Sequence, residues 1–196
     1  CWDWWLEGEP GIAMIRVKRF AEGTSTEIAE VLTTLNSEVP PSGLVLDLRG
    51  NPGGLFETAV AVCDLFLNEG TIVTTNDRRQ TSARQTRQAT PGDLLNGSEI
   101  VVLIDDLTAS AAEIVAACLQ DHGRATIVGS RSYGKGSIQA LLPLPDTGTA
   151  IELTTSEYRR PSGTAIDRPA DTAANRSWGV SPDAGYALTP TREQLD

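Results

Sequence analysis

Apolar positions along the 196-residue chain repeat with two periods, one suited to strands and one to helices. From Gly11 to Phe20, Met14, Arg16 and Lys18 alternate with Ile15 and Val17, which reads as a strand. Thr24-Ser-Thr-Glu27 has the spacing of a capping box, and Ile28, Val31, Leu32 and Leu35 follow at helical intervals. An amphipathic helix is therefore expected over 25–37. Pro40-Pro-Ser-Gly43 is a turn. Residues 44–48 (LVLDL) form a nearly continuous apolar run, as in a strand buried on both faces. Asn51-Pro-Gly-Gly54 breaks that run. Leu55, Ala59, Val62 and Leu65 or Phe66 then share one face of a helix over 55–67, and 71–75 is the next strand.

Residues 76–97 are polar and rich in Arg, Thr and Gln, which suits an exposed loop with room for a short hairpin. Residues 99–104 are a second buried-strand run. Residues 111–121 form a helix, with Gly123 placed to end it. Residues 126–129 are a strand, and 137–145 with 149–158 read as a hairpin across Asp146-Thr-Gly148. Beyond residue 160 the chain is rich in Pro, Ser, Thr and Ala, with Trp178-Gly-Val-Ser-Pro-Asp183 as a distinctive island.

Strand–helix–strand thus occurs twice, as 44–48, 55–67, 71–75 and as 99–104, 111–121, 126–129. Such units are expected to lay down parallel strands of an α/β fold through right-handed crossovers. Ligands bind beyond the carboxyl ends of such strands. That singles out the loops 49–54, 105–110 and 130–137, all expected at one edge of the sheet.

Composition narrows the chemistry. With 16 Lys+Arg against 26 Asp+Glu the formal charge is −10, which argues against nucleic acid or an anionic membrane as partner. No run of about 18 apolar residues is present to span a membrane. The three cysteines, Cys1, Cys63 and Cys118, form neither a disulfide framework nor a zinc pair, and Cys63 and Cys118 read as buried thiols. The one histidine, His122, lies 12 residues beyond Ser110 on the same helix. At ~1.5 Å rise per residue that is about 18 Å, so a Ser-His pair within one subunit is excluded. His122 is expected instead as a cation or donor at the helix C-terminus.

The loop 105–110 is Asp-Asp-Leu-Thr-Ala-Ser, and Ser110 begins the following helix. It is either a plain capping serine, with Glu113 completing a capping box, or a nucleophile at a helix N-terminus where N–H groups stabilise an oxyanion. A nucleophilic serine needs a base. In Ser130-Arg-Ser-Tyr-Gly-Lys-Gly-Ser137, Lys135 lies between two glycines that permit close backbone approach. Parallel neighbouring strands would set this loop beside Ser110. A lysine serves as a base where burial disfavours its charged form, and Ser-Lys pairs are a known variant of the triad. Gln139, four residues on, could orient the amine. A phosphate-binding loop is a poor fit, because the upstream glycine and the Ser/Thr after Lys135 are missing. Arg49-Gly-Asn-Pro-Gly-Gly54 is either a tight turn or a set of backbone donors aimed at developing negative charge.

Taken together, Leu46-Asp-Leu-Arg-Gly-Asn-Pro-Gly-Gly54, Thr108-Ala-Ser-Ala-Ala-Glu-Ile114 with Leu119-Gln-Asp121, and Tyr133-Gly-Lys-Gly-Ser-Ile-Gln139 resemble the carboxy-terminal processing (tail-specific) proteases, serine peptidase family S41. Glu152-Leu-Thr-Thr155, Pro161-Ser-Gly163 and Gly179-Val-Ser-Pro-Asp183 extend the resemblance, which runs from about residue 11 to 185. It implies a ClpP/crotonase-like α/β core of repeated strand–helix–strand units with a C-terminal β hairpin region. It also implies a serine endopeptidase with a Ser-Lys dyad. By position Ser110 looks like the nucleophile, Lys135 the general base and Gln139 the residue orienting it. The oxyanion hole would be the N–H groups of Gly54 and Ala111, with Gly53 beside them. Glu113 and Asp121 match acidic supporting positions, and Ser132 stands where the family often has Thr. Thr108 and Ala112 depart from the family's usual serines. The resemblance implies no metal and no cofactor.

Family members carry an upstream PDZ domain that binds a substrate's C-terminal tail. Residues 1–10, from Cys1 through Trp2-Asp-Trp-Trp5, are accordingly expected to be the end of a linker from a PDZ domain missing from this chain. Residues 11–185 are expected to be the protease core and 186–196 a C-terminal tail. Polypeptides with apolar C-terminal tails are the expected partners, outside the cytoplasm, in a bacterial periplasm or cell envelope. The alternative is a catalytically dormant relative that holds an apolar peptide or ligand on the same surface. An acyl-CoA enzyme on the same fold is disfavoured by the Ser-Lys pair.

Overall fold

Apolar side chains at Leu44 and Leu46, with a wholly buried Asp47 beside them, need neighbours on both faces, and the fold supplies them. In the computed structural model, which describes residues 5–9, 11–77, 85–145, 148–170 and 177–188, β2 (Gly43–Asp47) lies inside a four-stranded parallel sheet. Its order is β1 (Ile12–Arg16), β2, β5 (Glu99–Ile104), β6 (Ala125–Gly129). Helices α1 (Thr24–Glu38), α2 (Phe56–Asp64) and α3 (Ala111–Asp121) complete this half, with α2 packed on α1 and α3. Among these helices α3 is buried all round from Ala111 to Leu119, Glu113 included. Its alanines permit that close packing.

The strand expected at 71–75 does not continue the parallel sheet. As β3 (Thr71–Asp77) it enters a second, antiparallel sheet in the order β4 (Gln85–Gln88), β3, β8 (Ala150–Arg159), β7 (Ser137–Pro143). The first strand–helix–strand unit is therefore not a crossover within one sheet, whereas β5–α3–β6 is. Inside 76–97, β4 pairs with β3 as a hairpin, and Leu95 is buried rather than exposed. Asp146 and Thr147 of the expected hairpin turn and residues 1–4 of the expected linker lie outside the described residues, as do 189–196.

Two local expectations change, the first capping box and the end of α2, while His122 and the cysteines are placed as expected. The Thr24–Glu27 capping box is not formed: Gly23, at φ 87°, occupies the N-cap position, and the Thr24 hydroxyl instead accepts the Ala21 N–H at 3.1 Å. Helix α2 ends at Asp64, before Leu65 and Phe66. His122 Nε2 lies 2.7 Å from the Thr71 carbonyl, pinning the start of β3 to the end of α3. Cys63 and Cys118 are buried free thiols, and burial pushes the Cys63 thiol up.

Candidate active site

The parallel strands β2, β5 and β6 run out at one edge, and hydrogen bonds fasten the loops that follow them to one another. The first two loops are joined at the backbone. Gly50 N–H donates to the Asp105 carboxylate at 2.9 Å, and Ala109 N–H donates to the Asn51 carbonyl at 2.9 Å. The buried Asn51 amide donates to Val17 O at 2.7 Å, and its oxygen accepts the Gly53 N–H at 2.8 Å. Buried Thr108 donates from its hydroxyl to Leu48 O at 2.9 Å. An upright 49–54 loop results. Its base is fixed by Arg49, whose guanidinium donates to both Asp47 oxygens at 2.8 Å. Burial pushes the Asp47 carboxyl up, but the hydrogen bonds and charge of Arg49 outweigh this and the net direction is down.

Gly53 is pressed against the nucleophile candidate: a Cβ there would lie 2.9 Å from Ser110 Cβ and 2.8 Å from Ala109 O. A Cβ on Gly54 would lie within van der Waals overlap of Phe20 O. The neighbouring pairings run from Phe20 N–H to Gly53 O and from Leu55 N–H to Phe20 O. They leave the Gly54 N–H outside the ladder. Among the described residues the amides of Gly54 and Ala111 have no acceptor, whereas that of Gly53 is taken by Asn51.

Ser110 has φ 57° and ψ −119°, one of two non-glycine residues with positive φ among those described. These are the angles of the first central position of a type II′ turn, where glycine is favoured. A serine there is strained, and such strain collects at functional sites. Ser110 and Glu113 form the expected capping box: Ser110 N–H donates to Glu113 Oε2 at 2.8 Å, and the Ser110 hydroxyl faces the Glu113 N–H, whose close bond is to Ser110 O at 2.9 Å. Near the Ser110 hydroxyl lies that of Tyr158, a buried residue of β8 whose ring stacks on Phe56 at 5.5 Å. Burial raises the Tyr158 hydroxyl, and the Ser110 contact partly opposes this.

Glu113 joins the two halves of the site. Buried completely, it also accepts the Ser132 hydroxyl at 2.6 Å, Gly134 N–H at 2.7 Å and Lys135 N–H at 2.8 Å. Burial raises its carboxyl, and these four donors offset only part of that. The 130–137 loop is further tied by Tyr133 N–H to Thr108 O and by Val180 N–H to Ser132 Oγ.

Ser110, Ala111, Gly53, Gly54, Glu113, Ser132 and the Lys135 backbone therefore meet in one place. The Lys135 and Gln139 side chains are exposed, and neither is hydrogen-bonded to Ser110 or to the other. The burial that a lysine base requires is not supplied by the chain in this state. Asp121 stands apart at the far end of α3, where Arg160 and the Ser162 N–H hold it. Its burial is outweighed by those partners, and its carboxyl is lowered. Asn51, Asp105 and Tyr158 were not among the sequence candidates. Asn51 and Asp105 lie inside the loops singled out by topology, but the Tyr158 contact spans the two sheets and leaves no local signal.

Exposed Leu107 and Tyr133 sit on two of these loops, and exposed Leu55 directly follows the third. A cleft of about 560 Å³ opens beside Gly54, lined by Arg19, Phe20, Ala21, Glu22 and Leu55. Among the described residues no group of His, Cys, Asp or Glu is disposed to hold a metal ion.

Residues 11–185 match peptidase family S41. The chain is 43% identical over 181 residues to a carboxy-terminal-processing protease of Bartonella bacilliformis, covering 91% of this chain and 39% of that protein. It is 40% identical over 157 residues to a carboxyl-terminal-processing protease of Synechocystis, covering 79% and 36%. A solved photosystem II D1 C-terminal processing protease superposes with TM-score 0.78 at 32% identity, over 90% of this chain and 42% of that one. The tricorn protease shares the fold at TM-score 0.54 and 18% identity. The chain spans about two fifths of the length of the curated relatives it matches. The fold is the ClpP/crotonase-like α/β core, and by sequence and architecture alike the chain belongs to peptidase family S41.

Proposed function

We propose that this chain is the peptidase core of a C-terminal processing protease, with Ser110 as nucleophile and Lys135 as general base. The observation that carries this reading is the placement of Ser110. It occupies a strained position at the start of α3, next to two backbone amides, of Gly54 and Ala111, that have no acceptor among the described residues. Donors held ready for charge that is not yet there are what acyl transfer requires.

In this mechanism the neutral Lys135 amine takes the Ser110 proton as Oγ attacks the scissile carbonyl carbon. The oxyanion is held by the Gly54 and Ala111 N–H groups. The C–N bond breaks, and the leaving amine takes the proton back from Lys135. Lys135 then deprotonates a water that attacks the Ser110 ester, releasing the acid and regenerating the hydroxyl. Bound substrate would cover Lys135, excluding water and directing it onto Ser110, with Gln139 orienting the amine. The substrates are polypeptides with apolar C-terminal tails, a reading that exposed Leu55, Leu107 and Tyr133 support. Tail capture by an upstream PDZ domain, a core bounded at 11–185 and an extracytoplasmic site belong to the same reading and rest on the family.

Ser110→Ala and Lys135→Ala are each expected to abolish cleavage of a protein with an apolar C-terminal tail, followed by mass, while leaving the circular dichroism unchanged. Turnover above background in both variants would sink the dyad. The unjoined Ser110 and Lys135 side chains favour one second reading, a dormant binder of apolar peptides. That reading expects peptide binding with no cleavage and no labelling of Ser110 by a fluorophosphonate.

A further inference from the structure

Arg131 and Arg168 each place a guanidinium carbon 4.9 Å from the centroid of the same ring, that of Trp178. The ring is itself fixed. A Cβ on Gly134 would lie 2.6 Å from Trp178 Cε3 and 2.9 Å from Arg168 Cβ, so the indole rests directly on the glycine backbone. Arg168 N–H donates to Gly134 O at 2.9 Å, and Gly179, next to Trp178, donates to Ile166 O at 2.9 Å. Both arginines are exposed. Among the described residues neither guanidinium has a hydrogen bond or ion pair.

Two cations over one ring repel each other, and a chain of net charge −10 has carboxylates in excess to pair with them. Elsewhere it does so: Arg49, Arg87, Arg124, Arg159 and Arg160 all have acidic partners. Stacking on an indole holds a guanidinium in place while leaving its N–H edge open, and that edge matches a carboxylate bidentately. The ring also has a definite position relative to the chemistry. Gly134 precedes Lys135, and its N–H shares Glu113 with the Ser110 N–H. A base that returns its proton to the leaving amine faces the segment being released.

Resting on the peptidase reading above, we infer that Arg131, Trp178 and Arg168 form a carboxylate-binding subsite for the released, C-terminal segment of the substrate. The carboxylate is either the chain's own terminus or an Asp or Glu side chain. The aromatic ring supplies an apolar floor for the neighbouring residue.

Binding to the Ser110→Ala chain tests this without turnover. Fluorescein-labelled peptides of one sequence, with an apolar C-terminal segment, are prepared as free acid and as amide, and each with Asp or Asn within that segment. Fluorescence anisotropy is expected to show at least one carboxylate form bound about tenfold more tightly than the neutral peptide. Acid against amide and Asp against Asn identify which carboxylate is read. The preference is expected to shrink with added salt and to vanish in Arg131→Gln/Arg168→Gln. Equal affinity for all four peptides, or an unchanged preference in the double variant, overturns the subsite. Failure of the peptidase reading shows separately, as absence of cleavage by the unsubstituted chain whichever peptide it binds.

Discussion

Ser110 is held where a residue without a side chain would be more comfortable, at φ 57° and ψ −119°. Removing only the hydroxyl leaves that strain in place, whereas removing Cβ relieves it. Ser110→Gly is therefore expected to be more stable than Ser110→Ala by about 1 kcal/mol, read from the midpoints of chemical denaturation. An alanine variant equal to or more stable than the glycine variant would show that position 110 is relaxed. Serine at this position was legible as one of two things, cap or nucleophile, because both use the same helix start. The positive φ bears on that choice, and no run of residue types encodes φ at a single serine. Lys135 shows the converse. Its flanking glycines announced a close approach, and Gly134 and Gly136 do abut Trp178 and Asp167. The approach is made by the backbone, however, while the amine stays outside.

At the scale of elements, the loops of the candidate site are positioned by buried polar side chains, and Asn51 is central to this. It satisfies Val17 O at the end of the first strand and the Gly53 N–H within its own loop. Asn51→Ala orphans both groups. A loss of about 2–3 kcal/mol is expected by urea titration, with a fall in kcat larger than any change in KM, since the Gly54 amide depends on this loop. Unchanged stability would mean that water replaces the amide. The strand–helix–strand rhythm was readable because β2 and β5 are continuous apolar runs with no polar face. The departure of β3 was readable only in part. Residues 71–77 have apolar Ile72 and Val73 and then turn polar, unlike the continuous apolar runs of β2 and β5. Its partner β8 is some eighty residues away in sequence, paired through Thr74–Arg159 and Thr75–Tyr158, and local periodicity holds no trace of that distance.

Across the whole molecule, buried carboxylates respond to acid in opposite senses. Asp47 and Asp121 are lowered from their ordinary 3.8 by Arg49 and Arg160, which outweigh burial. Their contribution to stability is present above that value and is lost as pH falls through their folded values. Glu113 is raised from 4.5, mainly by burial. Its contribution is largest below 4.5 and is lost as pH rises through its folded value. Replacing Arg160 by Met removes the chief partner of Asp121. The denaturation midpoint is then expected to fall at neutral pH and to depend less steeply on pH between about 3 and 5 than in the unsubstituted chain. Parallel pH profiles for the two proteins would contradict this assignment.

Glu113 carries a further consequence. One carboxylate receives a donor from the backbone of Ser110 and three from the loop of Lys135. The two loops are thereby a single transplantable piece. A designer moving the proposed Ser110–Lys135 chemistry to another scaffold would fail by copying those two residues alone. Residues 105–113 and 130–136 would have to travel together, with a dry chamber for the acid that fastens them.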